Sequence, residues 1–99
     1  MIKVTVKTKE DYIKEIKIKG HALYDDFGRD IVCAAVSSIS ITTVNAIESI
    51  NPKAIKYTDK NGLSIFVIKE DIIVNKLLNN MLNLLLELEH DYPENIKIL

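Results

Sequence analysis

Apolar and polar residues alternate near the start of the chain, over Ile2–Val6 and again around Ile16 and Ile18. A period of two is typical of a strand that buries one face. The two runs are separated by a short polar turn, and the second one ends at Gly20. The pattern therefore predicts a β-hairpin, followed by a loop over residues 21–29.

A stretch without charge extends from Ile31 to Ile47. Its Ser, Thr and Val residues have moderate helix propensity, so a strand over residues 36–44 is the competing interpretation. The length of the stretch favours a helix, with Asp30 as its N-cap and Pro52 ending it. Because charge is absent, we expect this helix to be buried on most sides. Its predicted core stripe is Val32, Val36, Ile39, Thr43, Ala46 and Ile50.

The second half of the chain has the same arrangement of a hairpin and a helix. Asn61-Gly62 supplies positive-φ residues for a turn between two strands, and Asp71 begins a helix that ends at Tyr92-Pro93. A short last strand is predicted in NIKIL. The order ββαββαβ indicates one domain over residues 1–99, an α/β (α+β) two-layer fold with a mixed sheet of about four to five strands and two helices. The predicted core stripe of the second helix is Ile73, Leu77, Met81, Leu84, Leu85 and Leu88.

More apolar residues lie off that stripe than one sheet can cover. Large unpartnered apolar surfaces usually mark an interface, so the chain is predicted to form a homodimer. The residues assigned to this second surface are Ile72, Val74, Leu78, Leu82 and Leu86.

Composition narrows the classes of function. A formal net charge of -1 argues against direct nucleic-acid binding, and the lysines of the first hairpin (Lys3, Lys7, Lys17 and Lys19) are interpreted as the solvated side of two strands. A single cysteine excludes an intramolecular disulfide, and the charged N-terminal residues do not read as a signal peptide. The uncharged stretch is rich in Ser, Thr and Asn and predicts no membrane partner. We expect a cytoplasmic protein.

Candidate chemistry centres on the one cysteine. Cys33 lies in the first turn of the predicted helix, where N–H groups and the helix dipole favour a thiolate and face a developing oxyanion. His21 lies across the loop and is a candidate base. Asp30 and Ser37 share a helix face with Cys33. Asp30 has two candidate roles that can coexist, as a cap and as an orienting group for His21. Ser37 either bonds back to a helix carbonyl or supports the site. The alternative is a cysteine that only packs.

The loop itself is a candidate moving part. Gly20 and Gly28 bracket it as predicted hinges, and Leu23, Tyr24 and Phe27 place apolar surface beside Cys33. We expect this loop to be mobile or folded over Cys33 until substrate binds. The competing interpretation is a fixed loop whose aromatic residues cap the edge of the core. No zinc-ligand spacing and no glycine-rich phosphate loop is present.

The segment from Gly20 to Ser37 resembles the ribosomal-processing cysteine protease family of bacteria, the Prp family. The positions that carry the resemblance are Gly20, His21 and Ala22, then Gly28, Asp30, Val32, Cys33, Ala34 and Ser37. The order ββαββα over the whole length is similar as well.

The resemblance implies a cytosolic cysteine endopeptidase with His21 as base, Cys33 as nucleophile, and Asp30 and Ser37 in support. It implies a homodimer that needs no metal or other cofactor. The implied substrate is the precursor of the twenty-seventh large-subunit ribosomal protein, from which a short N-terminal extension is removed. The alternative function is a non-enzymatic ribosome-associated or assembly module in which Cys33 only packs.

Overall fold

Seven elements follow one another in the order that the sequence predicts. A computed structural model describes all of residues 1–99, and it confirms both hairpins, both helices and the short last strand. The elements are β1 (Ile2–Lys9), β2 (Tyr12–Lys19), α1 (Ile31–Ile50), β3 (Ile55–Thr58), β4 (Leu63–Val67), α2 (Ile72–Asp91) and β5 (Ile96–Ile98).

The strands form one mixed sheet in the order β3-β4-β2-β1-β5. β5 pairs with β1 in parallel, and all other neighbours are antiparallel. Val4 lies opposite Ile18, and Ile16 lies opposite Ile65, so these side chains share the face that the helices cover. The other face is open. The predicted two-layer α/β (α+β) fold is confirmed.

A β-bulge in the first hairpin changes which residues of β2 face the core. The register shifts between Lys7 and Thr8, and β2 supplies one extra residue there. Ile13 and Ile16 are therefore both buried although they are an odd number of residues apart. The amide of Asn75 on α2 accepts from Ile13 N–H at 2.9 Å, which fixes α2 against the bulge.

Helix α1 buries less of its surface than the uncharged sequence predicts. Ile39 is half-buried but packs against the core as predicted, whereas Ala46 is only half-buried and Ile50 is 54% exposed, so the prediction is wrong at Ile50. The outward residues are uncharged and include both small polar side chains and exposed isoleucines such as Ile31 and Ile41, so the absence of charge does not indicate burial. By length and composition α1 is apolar enough to cross a membrane, a test that the core helix of a globular protein also passes. The residues that α1 buries are Val32, Val36, Ser40, Thr43, Val44 and Ile47.

Helix α2 is rotated relative to its predicted orientation. Met81 and Leu85 are buried as expected, but Ile73 and Leu84 are exposed, and Val74 and Leu78 belong to the core. The helix is apolar on so much of its circumference that periodicity does not select one stripe. The dimer surface is therefore wrong at two of its five positions, and the homodimer itself stays a prediction. The exposed apolar residues of α2 are Ile72, Ile73, Leu84 and Leu86.

Candidate active site

Asp30 joins the start of α1 to the loop before it. One carboxylate oxygen accepts from the N–H groups of Val32 and Cys33, each at 3.0 Å, which confirms the predicted N-cap. The other oxygen accepts from Tyr24 N–H at 3.0 Å and from Asp25 N–H at 3.4 Å. These hydrogen bonds, that from Cys33 foremost, hold the pKa of the Asp30 carboxyl below its ordinary value.

The structure does not show two of the contacts that we expect from the sequence in this region. Both oxygens of Asp30 are occupied by backbone donors and no hydrogen bond joins the carboxylate to His21, so the structure shows the cap and not the orienting contact. The N–H of Cys33 is also taken by Asp30, so it does not face the cavity as an oxyanion donor.

The backbone on either side of His21 is held at fixed points. Gly20 has φ +97°, and a Cβ there would lie 2.3 Å from the carbonyl oxygen of Met1. Ala22 is buried, and its carbonyl accepts from the side-chain amide of Asn95 at 2.9 Å. The N–H of Ala22 donates to Cys33 Sγ at 3.5 Å. His21 therefore lies between Gly20, whose backbone is packed closely against Met1, and Ala22, whose N–H is hydrogen-bonded to the thiol.

Cys33 is half-buried in the first turn of α1, and His21 is exposed beside it. The sulfur accepts a hydrogen bond from the N–H of Ala22 and lies near the N-terminus of α1. His21 and Cys33 line the same cavity, but no hydrogen bond joins the imidazole to Sγ. The structure thus brings the two predicted residues to one site without a formed contact between them.

The cavity over Cys33 has a volume of about 530 Å³ and opens to solvent. Its lining combines the loop with the first two turns of α1: His21, Leu23, Asp25, Phe27, Gly28, Asp30, Cys33, Ala34 and Ser37. The Ser37 hydroxyl makes no hydrogen bond to a helix carbonyl, so its place is in the cavity wall.

A second cavity of about 230 Å³ continues along α1 and shares Ser37 with the first. It lies between α1 and the turn that joins β3 to β4. The Ser40 hydroxyl there is buried and has no hydrogen-bond partner. The two cavities adjoin at Ser37, and we refer to them together as the groove along α1. The second cavity is lined by Ile18, Val36, Ser37, Ser40, Ile41, Asp59, Gly62 and Leu63.

Tyr24 has the contact expected of a fixed loop, whereas Phe27 does not. Tyr24 packs edge-on against Tyr92 with ring centroids 5.3 Å apart, as a fixed loop requires. Phe27 is fully exposed and Leu23 is 78% exposed, so neither is packed over Cys33. Gly28 has φ +87° and open space around it. Movement of the loop stays a prediction.

Sequence reasoning missed Asn95 and Tyr92, which hold the loop from the far end of the chain. Both contacts join residues about seventy positions apart, and no local pattern of apolar or polar residues signals them. Across residues 1–99 no three side chains of His, Cys, Asp or Glu lie close enough together to hold a metal ion.

Comparison with known families decides what this site belongs to. A family model described as cysteine protease Prp matches residues 1–97. The chain belongs to the Prp family of cysteine proteases. The resemblance of the sequence is confirmed, and the alternative of a non-enzymatic module does not hold.

Relatives in the Prp family include proteins of known activity and structure. The ribosomal processing cysteine protease Prp of Staphylococcus aureus is 33% identical over 95 residues, covering 90% of this chain and 88% of the relative. A crystal structure of the essential ribosomal processing protease Prp from S. aureus with a covalently linked product peptide has a TM-score of 0.93 at 26% identity, covering 99% of this chain and 97% of that one. A second, with a substrate peptide, has a TM-score of 0.88 at 25% identity, covering 100% and 98%.

Proposed function

We propose that this cysteine protease removes the short N-terminal extension from the precursor of the twenty-seventh large-subunit ribosomal protein, with Cys33 as nucleophile and His21 as base. The observation that carries the proposal is the cavity in which the only thiol of the chain, at a helix N-terminus, lies beside His21. The S. aureus relatives, described as ribosomal processing proteases and solved with peptides, support the substrate class.

The chemistry follows the usual two steps of a thiol protease. His21 takes the proton of Cys33, and Sγ attacks the carbonyl carbon of the scissile bond. The C–N bond breaks as His21 returns the proton to the leaving amine, which leaves a thioester on Cys33. Water then attacks the thioester, releases the carboxylate and restores the thiol. The N–H of Ala22 stabilises the sulfur while it is charged.

The groove along α1 suggests how the substrate chain is held. An extended peptide over Cys33 meets Leu23 and Phe27 on the loop side and passes Ser37 towards the second cavity. The exposed loop residues offer apolar surface to aromatic or aliphatic side chains near the scissile bond. The carboxylate of Asp59 offers a polar partner further along.

The test is cleavage of the host's own ribosomal protein precursor, followed by intact-mass measurement of both fragments. Cys33→Ala should abolish cleavage, and His21→Ala should slow it by at least about 10²-fold, because both proton transfers lose their carrier. His90→Ala is the matched control, since this histidine is exposed at the end of α2 and lines neither cavity. Cleavage by either site variant at the wild-type rate would refute the proposed roles. A wild-type enzyme that leaves the precursor uncleaved but still cleaves other peptides would refute only the proposed substrate.

A further inference from the structure

The open face of the sheet, opposite the helices, gathers most of the positive charge of the strands. The register of the ladder places Lys97, Lys3 and Lys19 side by side on β5, β1 and β2. Two further rows cross the same face, and they contain the remaining lysines. We use the term lysine face for these three rows, whose six lysines are Lys3, Lys7, Lys17, Lys19, Lys56 and Lys97.

The charge of this face is far from that of the whole chain. Glu15 is the one acidic residue among the six lysines, which gives the face a net charge of +5. Since the chain as a whole carries -1, the rest of the surface carries -6. Net charge alone argued against a nucleic-acid partner, but the distribution of charge argues for an anionic one.

Most of these lysines lack a carboxylate partner. Glu15 binds Lys7 at 3.2 Å and Lys17 at 3.4 Å. No carboxylate lies within salt-bridge distance of the row Lys97, Lys3 and Lys19, although neighbouring strands are only about 5 Å apart. Like charges on directly paired positions destabilise a sheet. An anion lying across this row would relieve that repulsion, and a phosphate backbone carries charges at a similar spacing.

An exposed aromatic ring lies on the same face. Phe66 is 38% exposed on β4, between Glu15 on β2 and Lys56 on β3. Lys17 Nζ lies 6.0 Å from the centre of its ring. An aromatic ring among cations on an open sheet is the arrangement that stacks an unpaired base while lysines hold phosphates.

Hydroxyl groups fill the middle row between the lysine row and the aromatic row. Thr5 pairs with Lys17, which pairs with Ser64, which in turn pairs with Thr58. Hydroxyls at this place suit hydrogen bonds to sugar 2′-OH groups, which distinguish RNA from DNA.

We propose that the open sheet face binds single-stranded RNA. Phosphates lie on Lys97, Lys3 and Lys19, and one base stacks on Phe66. This surface is on the opposite side of the sheet from α1, so the groove over Cys33 stays open while RNA is bound. The inference does not rest on the identity of the protease substrate.

The experiment measures fluorescence anisotropy of a labelled oligouridylate RNA of roughly 12 nucleotides, a length within the usual site size. At physiological salt the wild-type protein should bind with a Kd of about 10⁻⁴ to 10⁻⁶ M. The triple variant Lys3→Gln, Lys19→Gln and Lys97→Gln should bind at least about tenfold more weakly. Its slope of log affinity against log salt should fall by about 2, since each phosphate contact contributes about 0.7.

Two matched variants distinguish RNA binding at this face from attraction by the overall charge of the protein. Lys60→Gln, Lys69→Gln and Lys76→Gln together change the net charge equally but lie off the strands, and they should change affinity less than about twofold. Phe66→Leu keeps an apolar side chain and should weaken binding about fivefold without changing the salt slope. Unchanged circular dichroism and peptide cleavage show that each variant is folded.

Four results would overturn the proposal. The first is no RNA binding by the wild type up to about 1 mM, well above the range of non-specific affinities. The second is an equal loss of RNA affinity in both triple-lysine variants, which would mean that binding depends only on net charge. The third is equal binding of the matched oligodeoxythymidylate or of anionic lipid vesicles. The fourth is a change from dimer to monomer in the face triple, which would make a second copy of the chain the occupant.

Discussion

Gly20→Ala should destabilise the protein more than Gly28→Ala, although both glycines have a positive φ. The φ values are +97° and +87°, so the conformational strain on an alanine is similar at the two positions. The surroundings differ. A Cβ at position 20 would lie 2.3 Å from the backbone oxygen of Met1, whereas a Cβ at position 28 meets nothing within 4 Å.

The expected sizes follow from those two observations. A positive φ costs an alanine about 1–2 kcal/mol, less the small gain from a stiffer unfolded chain. We therefore expect the free energy of unfolding to fall by about 1 kcal/mol in Gly28→Ala. In Gly20→Ala the start of β1 must also shift, which adds about 1–3 kcal/mol. For a domain of this size each kcal/mol lowers Tm by about 4–8 °C.

Urea unfolding followed by circular dichroism measures both variants against the wild type, with the m-value as a check on two-state behaviour. Cleavage should slow more in Gly20→Ala, because residue 20 precedes the candidate base, His21. Equal unfolding midpoints in the two variants would show that the close approach of Met1 to Gly20 carries no energy, and the reasoning would fail.

Three further predictions concern the loop, the cap and the dimer. Phe27→Ala should slow cleavage with little change in Tm if the loop contacts substrate, because Phe27 packs on nothing in the free enzyme. An unchanged rate would favour a fixed loop. The lowered pKa of Asp30 means that its carboxylate stabilises the fold fully above its ordinary value of 3.8 and loses that contribution as pH falls through the lowered pKa. The difference in unfolding free energy between wild type and Asp30→Asn should thus be constant near neutral pH and become smaller below about pH 4. Asp26→Asn is the control, because the Asp26 side chain makes no hydrogen bond, and its difference from wild type should not depend on pH in this way. Light scattering should give twice the chain mass of 11.2 kDa, and Ile73→Lys with Leu84→Lys should give a monomer if α2 forms the interface; a wild-type monomer at micromolar concentration would contradict the homodimer.

The strands were predictable because each buries one face and exposes the other, so alternation records the fold directly. The rotation of the helices was not. α2 has apolar residues at Ile73, Val74, Leu77 and Leu78, and the sequence alone does not say which pair faces the sheet. The contact of Asn75 with the bulge in β2 fixes that rotation, and it depends on residues more than sixty positions away.

The residues of the site were predictable as a set, but their contacts were not. His21, Asp30, Cys33 and Ser37 all line one cavity, and their roles stay predictions. It does not reveal that Asp30 occupies the N–H of Cys33, because a cap residue chooses among several backbone donors only when the loop has its final shape. The hydrogen bond from Asn95 to the Ala22 carbonyl could not be predicted either, because, like the contact of Asn75, it joins residues that are far apart in the sequence.

The anchored backbone around His21 limits how the proposed dyad can form. Gly20 is pressed against Met1, and Ala22 is tied to both Asn95 and Cys33 Sγ, so neither neighbour of His21 can move far without breaking these contacts. In the proposed dyad the imidazole would therefore reach the sulfur by rotation of its own side chain, which is exposed. Tyr24 is also held, by Tyr92 and by Asp30, so the predicted loop movement is confined to the exposed segment around Phe27. In the proposed mechanism the loop would hold substrate and exclude water, while the anchored backbone would set the distance between His21 and Cys33.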